Sequence, residues 1–163
     1  MRVRIAPYQI SDRPTIKSFV EAIQAFEARS VKGLKAAHEI GEPYTRRILR
    51  AVETNRGAIL LAREGSKSVG FVCAWIDSDH DILISEKMRE FAYVSDVFVR
   101  PAWRRKGVGR KLLKAVEAEM KDKGCARIRI CSKAANSVAL GAYAKAGYRP
   151  YEVTLTKRLS GRF

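Results

Sequence analysis

Between Val99 and Leu113 the chain reads V-R-P-A-W-R-R-K-G-V-G-R-K-L-L. These residue types suit one task, the binding of an anion. Gly107 and Gly109 sit where a helix would begin, and the first N–H groups of a helix lack partners inside it. The helix dipole favours negative charge at that end. A residue without a side chain lets a phosphate approach the backbone closely. Arg104, Arg105, Lys106, Arg110 and Lys111 concentrate positive charge around the same point. A surface helix with solvated basic residues would account for the arginines. It would not account for two glycines that weaken the helix's first turn.

The flanking sequence supplies elements to position such a turn. Phe91–Val99 reads as the strongest strand of the chain, ended by Pro101. Gly107–Lys123 reads as an amphipathic helix with Val108, Leu112, Leu113, Val116 and Met120 on one face. Residues 2–6 alternate as a short strand. After Asp12, the positions Ile16, Phe19, Val20, Ile23 and Phe26 mark a helix face, with Pro14 near its start. Gly33 and Gly41 interrupt the pattern, so a second helix is expected from Glu42 to Asn55, closed by Gly57. Ala58–Arg63 and Ser68–Ile76 read as a hairpin around the turn E-G-S-K. Asp77–Asp81 reads as a polar loop whose spacing fits no metal site, and residues 82–90 are ambiguous. Ala126–Cys131 reads as a strand, Ser137–Ala146 as a short helix, and Tyr148–Leu159 as a final strand. The order β-α-α-β-β-β-α-β-α-β implies an α/β (α+β) fold, a mixed sheet with helices on its faces.

Composition bounds the rest. A chain of 163 residues fits one domain. Its 47% hydrophobic residues allow a real core, and no apolar run reaches the length of about 18 residues that would suggest a membrane span. The N-terminus lacks the apolar stretch of a secretory signal, so a cytoplasmic location is expected. Of the three cysteines, none lies in a C-x-x-C pair, and Cys73 and Cys131 sit in apolar runs as packing residues would. The net charge of +15 suits a nucleic acid, an acidic membrane or a polyanionic cofactor equally well.

R-R-K-G-V-G resembles the R/Q-x-x-G-x-G/A signature of the GNAT superfamily of N-acetyltransferases, and the preceding V-x-P-x-W-R resembles that family's strand exit. The element order is similar to the GNAT fold over nearly the whole chain. The resemblance implies a central sheet of about six or seven strands flanked by helices. It implies acetyl-CoA as co-substrate, with no metal. Its pyrophosphate would be held by Arg104, Arg105, Lys106, Gly107, Val108, Gly109 and Arg110, with the amides of Lys106 to Arg110 as donors. The pantetheine arm would pair with backbone near Val97 and Val99, along a strand that splays from its neighbour at Ala126–Cys131. A backbone N–H near Val97 or Phe98 would polarise the thioester carbonyl.

N-S-V-A-L-G-A-Y-A-K-A-G-Y, from Asn136 to Tyr148, resembles the later GNAT pattern N-x-x-A-x-x-x-Y-x-x-x-G-F/Y. By that resemblance Asn136 contacts the cofactor arm and Tyr143 protonates the departing thiolate, a task that suits a neutral phenol. Taken alone, Tyr143 would read as a core aromatic. Tyr148 reads as packing, and Lys145 as either a phosphate contact or a solvated cation.

A base is harder to find. Many family members place a carboxylate where this chain has Ser95, and serine alone is not a base at neutral pH. Asp96 is adjacent, but neighbouring strand residues point to opposite faces, so Asp96 would aim away unless a bulge re-aims it. Ser95 could hold a relaying water, a carboxylate such as Glu27, Glu39 or Glu90 could enter the site, or the amine could lose its proton to bulk water. Direct attack by the amine is simpler than a covalent route through Cys73 or Cys131.

The acceptor would meet the first two helices and the loops near 30–42 and 77–90. Acidic residues occur there, Glu21, Glu27, Glu39, Glu42, Asp77, Asp79, Asp81, Glu86 and Glu90, and could receive a cationic amine or simply be solvated. A small molecule, a peptide N-terminus and a lysine side chain all remain open. Two rival readings stand beside the enzyme: a basic nucleic-acid-binding module and a non-catalytic acetyl-CoA-binding domain. No nucleic-acid motif appears, and the aromatics are not interleaved with the basic stretches, which argues against the first. No membrane partner is expected. The family resemblance allows a homodimer, of which the sequence gives no direct sign.

Overall fold

The computed structural model describes residues 2–159. Its sheet consists of β1 (Arg4–Pro7), β2 (Ala58–Glu64), β3 (Lys67–Ser78), β4 (Glu90–Val99) and β5 (Ile128–Ile130), lying side by side in that order. Pairing is antiparallel from β1 to β4 and parallel between β4 and β5. The parallel pair needs a crossover, and α3 (Val108–Asp122) provides it.

Alternation along the strands gives the sheet two apolar faces. Ala62, Val69, Val72 and Val94 pack against Val108, Leu112, Val116 and Met120 of α3. Leu61, Phe71, Cys73 and Phe98 pack against α1 (Arg13–Glu27) and α2 (Ala37–Thr54) through Ile16, Phe19, Val20 and Ile48. Phe19 is the hub of that second core, with its ring 5.6 Å from Phe71 and 4.9 Å from Phe98. At its edge a buried ion pair, Arg63 to Asp12 at 2.7 Å, ties the start of α1 to β2.

Four features of the fold differ from those the sequence predicts. First, α2 begins at Ala37, not Glu42, and runs through Gly41 and Pro43. Gly41 is a packing site, since a Cβ there would run into the Glu21 side chain of α1. Second, α2 ends with the left-handed conformation on Arg56 (φ 50°), while Gly57 donates its N–H to Val52 O at 2.8 Å. Third, Cys131 is exposed, although Cys73 is buried. Fourth, the sheet has five strands, fewer than expected. The Tyr148–Leu159 segment forms no strand. It keeps a strand's alternation without a strand's neighbour: Val153, Leu155 and Leu159 stand 75%, 89% and 90% exposed. Tyr151 docks on Arg129 of β5, its ring 4.3 Å from the guanidinium. Before this segment, α4 (Ser137–Lys145) has no buried residue.

Candidate active site

The turn between β4 and α3 is built by backbone conformation. Arg104 is extended, Arg105 is left-handed (φ 59°) and Gly107 is left-handed again (φ 78°). Alternation of this kind turns successive N–H groups toward one concavity. Gly107 caps α3 without a side chain, no acidic residue occupies the first turn, and the opening amides receive no side-chain acceptor. A Cβ on Gly107 would meet nothing within 4 Å, and one on Gly109 only Val99 at an ordinary 3.8 Å. The protein therefore leaves open space in front of both glycines, as an external anion requires.

The basic residues of the turn divide into two groups. Arg104 folds back, donating from Nε to Val99 O at 2.9 Å with its guanidinium 5.9 Å from the Phe26 and Phe98 rings. Arg105, Lys106 and Arg110 are exposed and make no ion pair among the described residues. Val108 is buried in the α3 core.

Beside the turn, β4 has an open edge. Its pairing with β5 ends at Val94↔Ile130, while its pairing with β3 continues to Val99. Arg100 N–H bonds to Val69 O of β3, and N–H groups of alternate residues share an edge. Phe98 N–H thus faces β3, whereas the N–H and C=O groups of Val97 and Val99 face the side where β5 has ended. The Arg104 contact to Val99 O confirms that direction. Of the two donors considered for the thioester carbonyl, Val97 is the one aimed into the slot.

A bulge decides the chemistry of the other face. The β3–β4 register steps from Ala74↔Val94 to Cys73↔Asp96, leaving Ser95 as an extra residue. Tyr93 packs toward α1 and α2, and after the bulge Asp96 and Phe98 do so as well. Asp96 therefore does not aim away; the bulge re-aims it. Its carboxylate accepts from Tyr44 Oη at 3.1 Å and from Ser95 Oγ at 2.7 Å. Burial raises the Asp96 pKa, partly offset by those two donors.

Further groups converge on Asp96. The charges of Asp96 and Glu27, after burial, help push the Tyr143 phenol up to about 12. Tyr93 is likewise raised to about 12, by burial first and then by the Cys131 thiol it hydrogen-bonds. Burial raises Tyr44 and Cys73 further. All four are neutral at pH 7. Tyr143 lies 6.1 Å, ring to ring, from Tyr148, whose hydroxyl donates to Glu117 at 2.9 Å. Asn136 caps α4 by accepting from Ala139 N at 3.1 Å, so its side-chain oxygen is committed to the helix. Two other candidate carboxylates are engaged elsewhere: Glu39 accepts from Ala36 N, and Glu90 pairs with Arg56.

Tyr44 and Tyr93 were not singled out in the sequence, and Asp96 was expected to aim away unless a bulge re-aimed it, as the bulge does. One signal was present: Ser95-Asp96 is a pair of adjacent polar residues inside an otherwise apolar strand, a pattern that simple alternation does not accommodate.

A β4 edge unpaired by β5 beyond Val94, a turn into α3 with open glycines and exposed basic residues, and Asp96 held by Tyr44 and Ser95 together form the candidate site. Comparison with known proteins agrees. The acetyltransferase (GNAT) family model matches residues 22–148, so the chain belongs to that family and is an N-acetyltransferase. Aminoglycoside N(6')-acetyltransferase type 1 of Stenotrophomonas maltophilia is 30% identical over 145 residues, 88% of this chain and 91% of that protein. Among solved structures, a GCN5-related N-acetyltransferase from Ralstonia eutropha JMP134 superposes with a TM-score of 0.76 at 19% identity, covering 98% of this chain and all 100% of that one. AAC(6')-Iy in complex with the bisubstrate analogue CoA-S-monomethyl-acetylneamine superposes with a TM-score of 0.70 at 17% identity, covering 99% and 100%. These two likenesses concern the fold.

Proposed function

We propose that the protein transfers an acetyl group from acetyl-CoA to a primary amine by direct attack, with Asp96 accepting the amine's proton. The buried carboxylate of Asp96, held by Tyr44 and Ser95 next to the open edge of β4, is the observation that carries this reading. Bound acetyl-CoA supplies the acyl group as a thioester. The open amides from Lys106 to Arg110, with Arg105, Lys106 and Arg110 around them, fit its pyrophosphate. The free backbone groups of Val97 and Val99 fit the pantetheine amides, and Val97 N–H serves the carbonyl oxygen.

Asp96 takes a proton from the acceptor's ammonium, and the freed amine forms the new C–N bond. As the C–S bond breaks, the neutral Tyr143 hydroxyl gives a proton to the sulfur, and the proton that the acylated nitrogen sheds to become an amide restores the phenol. Ser95 and Tyr44 act as positioning residues on Asp96. Asn136 fixes the start of α4 and thereby the placement of Tyr143.

Free CoA release across an amine panel tests the reading, with Gly107→Glu as control. Wild type should release CoA with some amine and show a raised Tm with acetyl-CoA. Gly107→Glu should lose both, since it places a carboxylate in the anion site. No Tm shift of wild type at millimolar acetyl-CoA would sink the assignment.

The exposed alternating segment Tyr151–Leu159 supports a homodimer within this proposal. Alternating apolar side chains left exposed are best covered by a second strand edge, and β5 is the terminal strand of the sheet. We assign that role to a second copy of the chain. Sedimentation of the full chain as a dimer agrees with it, and sedimentation as a monomer overturns it.

A further inference from the structure

We infer that the acceptor is a primary amine that also carries a carboxylate, and that Arg47 binds that carboxylate. This rests on the proposed acetyl transfer and names its substrate class. Arg47 lies one turn beyond Tyr44 on α2, its guanidinium 5.8 Å from the Tyr44 ring centre. The Tyr44 hydroxyl in turn sits 3.1 Å from Asp96. Arg47 is exposed and makes no ion pair among the described residues, whereas its neighbour Arg46 pairs with Glu42. An exposed planar cation thus stands beside the Tyr44–Asp96 pair, its donors unpaired among the described residues, the arrangement that recognises a carboxylate in bidentate fashion.

The negative groups are equally informative. The sequence placed many carboxylates around the acceptor region, but the fold disperses them. Glu21 pairs with Lys17, Glu42 with Arg13, Asp79 with Arg129, Glu86 with Arg89 and Glu90 with Arg56. The groups whose charges reach the cleft are Glu27 from α1, Arg47 from α2 and Asp96 from β4, beside the neutral phenols of Tyr44, Tyr93 and Tyr143. Asp96 and Glu27 suffice for one ammonium. They do not suffice for a polycation, which the net charge of +15 would also repel. One ammonium site and one unpaired arginine together describe an amino-acid-like acceptor.

Matched acceptor pairs read this directly: an amino acid against its carboxamide, and an ω-amino acid against the diamine of equal length, with kanamycin as the polycation. Wild type should favour the acid of each pair by about tenfold or more in kcat/KM, the range of a hydrogen-bonded charge contact. Arg47→Met should raise KM for the acids, collapse the preference to about unity and leave kcat little changed. Arg47 could instead serve only to tune Asp96. In that case Arg47→Met would shift the acid limb of the pH profile equally for both members of each pair, and the inference fails. It also fails if wild type prefers the carboxamide, the diamine or kanamycin. If acetyl-CoA raises the Tm yet no amine is acetylated, the transfer reading and this inference fall together.

Discussion

The two faces of β4 are built by different means. On the α3 side, the anion turn uses backbone groups from one continuous stretch, Arg104 to Arg110, and needs only two left-handed residues and a helix start. On the α1/α2 side, the cleft is a meeting of side chains from five elements: Glu27, Tyr44 with Arg47, Cys73, Asp96 and Tyr143. The geometry of the first region is fixed within a few residues. The second depends on a one-residue bulge in β4, without which Asp96 would join Val94 against α3. Binding and proton transfer should therefore be separable by mutation.

Asp96→Asn is expected to have the largest effect. Loss of a general base lowers kcat by about 10²- to 10⁴-fold. The Tm shift with acetyl-CoA should persist, because the turn on the opposite face is untouched. The pH dependence has a definite sign. Burial raises the Asp96 pKa above the ordinary carboxylate value, so the fold favours the protonated form. The stability it contributes is complete below the ordinary carboxylate range and is lost as pH rises through the raised value. Relative to Asp96→Asn, the wild type should lose Tm as pH climbs through the acid range. A wild type that gains on the variant with rising pH would show that the cleft stabilises the carboxylate, and the two faces would not differ as described. The wild-type rate should rise along an acid limb above the usual range near about 4.

Tyr143→Phe should have a smaller effect, about a hundredfold in kcat, because an alternative donor such as water can still protonate the sulfur. Since the Tyr143 phenol is held up to about 12, wild type should show no alkaline loss of activity near neutral pH from this group. Full turnover in the variant removes Tyr143 from proton transfer. A lost acetyl-CoA response would instead make it part of the binding region and blur the division between the faces.

The same division explains what was legible in the sequence. The turn was readable because glycine spacing, basic residues and a helix start are all local. Most of the sheet and α3 were readable through their apolar periods. The direction of Asp96 could be given only as conditional on a bulge, because strand alternation holds only between bulges and the register of β3 against β4 is a long-range property. Tyr44 and Arg47 lie on a helix face that in sequence looks like any other. Gly41 looked like a helix break because a glycine that serves close α1–α2 packing is not distinguishable, in sequence, from one that ends a helix. Tyr148–Leu159 has the alternation of a strand, and no sequence pattern states whether a neighbour exists.

Gly109→Ala has the smallest expected effect and tests the anion turn most directly. Gly109 is the second residue of α3, and an added Cβ would meet only Val99 at 3.8 Å. Within the protein the substitution is favourable, since alanine restricts the unfolded chain and suits a helix; a gain of about 0.5 kcal/mol is expected. If the space before Gly109 exists to admit a phosphate to the backbone, the same methyl must obstruct it. The variant should therefore melt higher than wild type without ligand, yet show a smaller Tm rise with acetyl-CoA. Opposite signs from one methyl group would separate what the fold needs at this position from what the ligand needs. A gain in both would mean that the pyrophosphate does not approach α3 at Gly109, and the contact would have to lie farther back, at Lys106 and Gly107.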